Sequence, residues 1–302
     1  MIPHHPVARV RSVQLYLSGL FKLTKPEIVF LVLITVMAGY WLAASVHGES
    51  IHWRALIAAI LGSALSCAGV AALNQVIEWR RDAAMPRTAR RPIPSGLVSP
   101  FIAGCFGGLL WSAGLGVLFH EISFGMALGS LLTGLLYLLV YIPLKSVTAL
   151  NTTIGAVPGA LPILGGWYAL HGTLSPAAWL LFLILFLWQH AHFYVIAWMY
   201  RSDYEEGGFR MLSRGDKSGR LTFWAIWISS VLLAVSVLAL APWVRHHLAY
   251  LAGGVLLTLW FGRSLLKATR TKNPADSKNF LKVTAFYIQF WFVLILASSA
   301  HW

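Results

Sequence analysis

Charge is scarce in this chain. Of its 302 residues only 11% are Asp, Glu, Lys or Arg, against roughly 25% in an ordinary soluble domain, while 58% are hydrophobic and the mean hydropathy is +0.70. That scarcity excludes a water-soluble globule. Cysteine is scarcer still: Cys67 and Cys105 both sit inside apolar runs, where they read as small apolar side chains. The start of the chain lacks an apolar segment ahead of a cleavage site. Its first 25 residues carry four basic groups and no acid, as a transit peptide would, but Pro3 and Pro6 are expected to interrupt any helix there. Residues 1–25 therefore read as a short cytoplasmic tail.

What the chain does have is long apolar runs. A hydrocarbon core about 30 Å thick is crossed by about 20 helical residues rising 1.5 Å each. Nine runs reach that length: Ile28–Val46, Ala55–Val76, Pro100–Phe119, Ser123–Tyr141, Asn151–Leu170, Ala177–Trp198, Leu221–Val244, Leu248–Leu266 and Leu281–Ser299. They predict an all-α membrane protein, nine transmembrane helices around a central cavity, forming one domain over residues 26–302. Within the fifth run Pro158 and Pro162 are expected to kink the helix. The glycines near them, Gly155, Gly159, Gly165 and Gly166, read as close helix contacts.

Basic residues outnumber acidic ones 23 to 10, a formal net charge of +13. In a soluble protein such an excess would point to nucleic acid, so its distribution has to be examined. With the nine spans alternating in direction, every basic residue except Arg54 and Arg245 falls on one side of the membrane. The positive-inside rule makes that side cytoplasmic, with the N-terminus inside and the C-terminus on the opposite side. The partner of this charge is then the lipid bilayer, and no nucleic acid is needed.

The few acids are grouped. Asn74, Glu78 and Asp82 lie four residues apart at the end of the second span, which makes one stripe on a helix with neighbours about 5–6 Å apart. Like charges so placed repel, and cations must offset them: Mg²⁺, or the arginines that follow directly. Those arginines, Arg87, Arg90 and Arg91, lie in a stretch with Pro86, Pro92 and Pro94, which is expected to be an extended basic loop. Magnesium binds through carboxylates and substrate phosphate, and arginine pairs with phosphate oxygens, so the combination suits a diphosphate. A second group, Asp203, Glu205, Glu206, Asp216 and Lys217, follows span six on the same predicted side. Two such loops separated by an even number of crossings can face one cavity mouth.

These residues carry a resemblance that extends over nearly the whole chain. Thr24-Lys25-Pro26, Asn74…Glu78…Asp82…Met85…Arg87-Thr88…Arg91-Pro92, Pro143-Leu144-Lys145, Asn151 to Pro162, Trp188-Gln189…His192-Phe193 and Asp203-Tyr204…Gly208…Met211-Leu212 are similar to the motifs of the intramembrane UbiA-type prenyltransferase superfamily. Within it, the Asn151–Pro162 and Trp188–Phe193 stretches resemble the protoheme IX farnesyltransferase, or heme O synthase, branch. The resemblance implies a Mg²⁺-dependent enzyme that transfers the farnesyl group of farnesyl diphosphate to a vinyl group of heme b, making heme O for heme-copper oxidase biogenesis. It implies that Asn74, Glu78, Asp82 and Asp203 hold Mg²⁺ and that Arg87, Arg91, Lys145, Lys25 and Lys217 contact the diphosphate. His192 and Gln189 would lie near the heme, and heme A synthase or oxidase assembly factors would be partners. The implied location is a bacterial plasma (inner) membrane with the active-site loops cytoplasmic.

The chain departs from the pattern in places. Gly207 stands where the second motif often has another Asp, which leaves Glu206 and Asp216 as alternatives and the second metal's ligands open. A transporter would also combine interrupted helices with polar groups, but near the bilayer midplane rather than at one surface. A structural assembly factor would leave the acid stripe without a use. Within the enzyme class, a quinone precursor or a chlorophyll-type alcohol are the rival acceptors.

Overall fold

The structure, a computed structural model, describes residues 6–299. Pro3, the C-terminal end of the chain and the side chains of Arg9 and Arg11 lie outside the described residues. Helices dominate what is described: α1 (Pro6–Leu23), α2 (Pro26–His47), α3 (Trp53–Ala84), α4 (Pro100–Glu121), α5 (Phe124–Leu135), α6 (Ile142–Leu144), α7 (Asn151–His171), α8 (Pro176–Met199), α9 (Arg201–Glu206), α10 (Arg220–Ala239), α11 (His247–Thr271) and α12 (Pro274–Ser299). A π-helical segment, Leu136–Tyr141, joins α5 to α6. Among the described residues nine helices are long and apolar enough to cross a membrane, and they coincide with the nine runs read from the sequence.

Most of these helices start at a proline or behind a serine. Pro26, Pro100 and Pro176 occupy the first turn of α2, α4 and α8, where a missing N–H costs nothing because that donor has no partner inside the helix. Ser99, Ser123 and Ser175 each accept a hydrogen bond from a first-turn amide. The same rule corrects the reading of the tail. Pro6 opens a helix, α1, instead of interrupting one.

One further expectation is revised. The segment after α3 is compact rather than extended: Thr88 and Ala89 amides bond the Met85 carbonyl, Ser95 bonds Arg91, and Val98 bonds Pro92, a chain of turns. Helix α7 extends from Asn151 to His171 with Pro158 and Pro162 inside it. The glycine reading holds. A Cβ on Gly166 would collide with the Val36 carbonyl and one on Gly39 with the Ile163 carbonyl, so α2 and α7 touch backbone to backbone.

The largest core gathers residues of α2, α7, α8, α10, α11 and α12 around Trp167, Tyr250, Tyr287 and Trp291. Large apolar side chains such as Phe101, Leu109, Leu132, Val235 and Leu256 point outward, as lipid-facing residues do. Helix α3 has 32 residues and is about 48 Å long, well beyond the hydrocarbon thickness. Its surplus turns carry Glu78 and Asp82 to one end of the bundle.

Candidate active site

The stripe predicted on α3 exists, and it is buried. Asn74, Glu78 and Asp82 are 1%, 4% and 2% exposed, which rules out a solvated helix end. Two ionised carboxylates in such a place need partners. Lys145 Nζ lies 3.1 and 3.0 Å from the two Glu78 oxygens, and one Arg91 nitrogen donates to both Asp82 oxygens at 2.8 and 2.7 Å. Asn74 links the set by donating to Glu78 Oε2 at 2.7 Å and accepting from Lys25 Nζ at 2.7 Å. Four segments thus meet at one end of the bundle.

Local chemistry explains how the cations arrive. Lys25 precedes Pro26 and has φ 50° and ψ 66°, the left-handed region that a non-glycine residue adopts at a cost of about 1 kcal/mol or more. That turn aims its ammonium at Asn74. Burial pushes its pKa down from 10.5 to about 8, and the charges of Arg91 and Lys145 push in the same direction. Lys145 follows Pro143, which has no N–H to offer the preceding turn, and the chain ahead of it widens into the π-helical segment. The segment brings Tyr137 and Tyr141 together, and Lys145 Nζ sits 4.8 Å from the Tyr141 ring centre.

The second acidic loop lies against this group. Arg87 is stacked over Tyr200 and Tyr204 at 5.3 and 5.6 Å, and Arg81 and Lys145 approach the Phe209 ring at 5.7 and 5.6 Å. The Arg210 amide donates to the Lys145 carbonyl at 2.8 Å, and Asn151 Nδ2 donates to the Arg210 carbonyl at 2.8 Å. The α3 end and the α9 loop are therefore on the same face, in contact. Asp203 is half-buried on α9, and its carboxylate has no hydrogen-bond or ion-pair partner among the described residues.

This geometry has counterparts in known proteins. Residues 32–293 match the model of the UbiA prenyltransferase family. The chain belongs to the UbiA prenyltransferase family. It is 38% identical over 265 residues to the protoheme IX farnesyltransferase of Rhodopirellula baltica, covering 85% of this chain and 91% of that one. Identity to the Salinibacter ruber protein of the same name is 38% over 281 residues, 91% of this chain and 96% of that one. In fold it is similar to a UbiA homolog from Archaeoglobus fulgidus bound to GPP and Mg²⁺, with a TM-score of 0.63 at 12% identity over 92% of this chain and 99% of that one.

Not every residue expected in this UbiA site is drawn into it. Lys217 is exposed, and its loop is held instead by Lys272, which donates to the Ser218 carbonyl, and by Asp216, which accepts from the Thr222 amide and hydroxyl. The hydrogen bonds of Asp216 hold its pKa below the ordinary carboxylate value, although burial by itself would raise it. His192 is satisfied between helices: its Nδ1 lies 2.8 Å from Thr284 Oγ1 of α12 and its ring stacks on Trp188. Gln189 donates to the Ala156 and Leu185 carbonyls, and Gly159 leaves room for its side chain. Both pack α8 against its neighbours. Sequence reasoning gave no role to Tyr137, Tyr141, Tyr200 and Tyr204, the aromatic faces next to Lys145 and Arg87. The tyrosine spacing ahead of Pro143 was the available signal.

Proposed function

We propose that this end of the bundle binds farnesyl diphosphate with Mg²⁺ and transfers the farnesyl group to a vinyl group of heme b, producing heme O for heme-copper oxidase biogenesis. The observation that carries the reading is the buried Asn74–Glu78–Asp82 stripe answered by Lys25, Lys145 and Arg91. Two comparisons support it: relatives 38% identical over most of their length are named protoheme IX farnesyltransferase, and a fold neighbour is bound to GPP and Mg²⁺.

The donor set fits a hard dication. Asn74, Glu78, Asp82 and Asp203 offer only amide and carboxylate oxygens, the donors Mg²⁺ prefers. When bound, Mg²⁺ offsets the negative charge that grows on the departing diphosphate. The chain's own residues do the rest. Lys25, Lys145, Arg87 and Arg91 contact phosphate oxygens, and ammonium and guanidinium donors strengthen as the C–O bond to the allylic carbon breaks. The rings of Tyr137 and Tyr141 present π faces to the farnesyl cation and keep water from it. The cation then forms a carbon–carbon bond with the terminal vinyl carbon, the carbocation left on the carbon beside the ring takes up water, and loss of a proton to solvent gives the hydroxyethylfarnesyl product.

The loops that hold the site are cytoplasmic in this reading, in a bacterial plasma membrane, because the basic residues crowd to their side. Heme O passes from there to heme A synthase or to oxidase assembly factors.

The test is purified full-length protein with farnesyl diphosphate, heme b and Mg²⁺, with the products read by mass spectrometry. The expected result is a heme heavier by a farnesyl and a hydroxyl group. Asp82→Asn is expected to lower Mg²⁺-dependent diphosphate release by on the order of a hundredfold or more. Prenylation of an aromatic acid with heme left intact would overturn the acceptor, and a wild-type protein that releases no diphosphate would overturn the transferase.

A further inference from the structure

The end of the bundle opposite the acid stripe carries a second grouping of ligand atoms. Helix α2 starts beside Lys25 and ends 22 residues later at His47, about 33 Å away along its axis. Helix α7 runs the same way and ends at His171. Both stop in the same manner, with a left-handed glycine after the last residue, Gly48 at φ 66° and Gly172 at φ 72°. The turn at Gly48 folds Glu49 back over the helix end, its amide bonding the Ala44 carbonyl at 2.9 Å.

The result is a three-residue cluster. The imidazoles of His47 and His171 stack with centres 3.8 Å apart and planes 11° apart, and His171 Nδ1 lies 2.8 Å from Glu49 Oε1. One ligand atom from each of the three residues lies within 4.8 Å of the others. A tetrahedral zinc ion, with ligands at about 2.0–2.2 Å, needs its ligand atoms roughly 3.3–3.6 Å apart, so side-chain rotations alone are enough to close the set. The backbones beneath are fixed, since Gly39 and Gly166 hold α2 against α7 five to eight residues below the cluster.

We propose that His47, Glu49 and His171 form a site for a borderline divalent metal of the zinc class, separate from the diphosphate site. Two imidazole nitrogens and one carboxylate oxygen are the donors that select zinc over magnesium. The C-terminal ends of two helices converge there, and their carbonyl dipoles add to the carboxylate in favouring a cation. Both histidines are exposed, which gives an ion access and leaves a fourth position for water or an outside ligand. Trp167, edge-on to His47 with centres 5.7 Å apart, walls the inner side. Binding turns both rings so that their lone pairs converge, which breaks the stack.

Calorimetric titration of the detergent-solubilised full chain with Zn²⁺ alone tests the proposal. The expected result is one tight site per chain, unaffected by millimolar Mg²⁺ and weakened on the order of a hundredfold in His47→Gln/His171→Gln, with Glu49→Gln weakened by a smaller factor. Cobalt substitution is expected to give the intense visible bands of a tetrahedral ion in wild type and not in the double variant. Melting of the metal-free variants, expected to match wild type, separates lost ligands from lost fold; if the double variant melts early, Glu49→Gln decides. Equal zinc affinity in wild type and variants, or no zinc bound by wild type, overturns the site and leaves an ordinary Glu49–His171 hydrogen bond.

Discussion

Lys25 shows how one residue's chemistry can be set by a single backbone angle. Its left-handed φ delivers the ammonium to Asn74, and burial there holds the pKa near 8, below the ordinary 10.5. Between those values the unfolded chain binds more protons than the folded one, so this residue's contribution to stability rises with pH across that window and is flat below pH 8. Anion binding has the opposite dependence, because a diphosphate favours the charged form. Affinity for Mg²⁺-pyrophosphate is expected to fall about tenfold from pH 7 to pH 9 in wild type. In Lys25→Met it is expected to be weak at both. Lys25→Gly, which tolerates the same φ, is expected to keep the fold within about 1 kcal/mol while losing the same affinity, measurable by titration and denaturant unfolding side by side.

At the scale of elements, the nine spans were legible because a membrane imposes a length and an apolar character on any helix that crosses it. The stripe on α3 was legible from its four-residue spacing, and its burial was not, since only tertiary structure brings Lys145 and Arg91 to it. The prolines were misjudged at Pro6 and around Arg87–Pro94, where position within a turn decides their effect. The π-helical segment before Pro143 leaves no simple periodic trace. Nor does the pairing of His47 with His171, more than a hundred residues apart. The α2–α7 crossing supplies a check on the element scale. Gly166→Ala places a methyl against the Val36 carbonyl and is expected to destabilise the protein by about 1–3 kcal/mol, seen as a lower melting temperature in detergent. Gly104→Ala, at a position where a Cβ meets nothing within 4 Å, serves as its control.

For the whole molecule, the distribution of basic residues is expected to orient the bundle, with the crowded side cytoplasmic. Arg54 is one of two exceptions to the crowding, and it is paired with Glu121 at 2.9 Å, on the face away from the stripe. With nine crossings, the N- and C-termini are expected on opposite sides. A C-terminal alkaline phosphatase fusion is expected to be active and the matching fluorescent-protein fusion dark, while a fusion truncated after Arg214 is expected to reverse both.

The nest of charge at the proposed active site also implies an order of arrival. Two carboxylates, Glu78 and Asp82, face three cations, Lys25, Lys145 and Arg91, which leaves the resting nest with one positive unit in excess. A lone dication approaching that nest is repelled, whereas a prenyl pyrophosphoryl group already carrying its ion remains anionic and is drawn in. Under the proposed function, the lipid substrate is therefore expected to bring its metal ion to the protein.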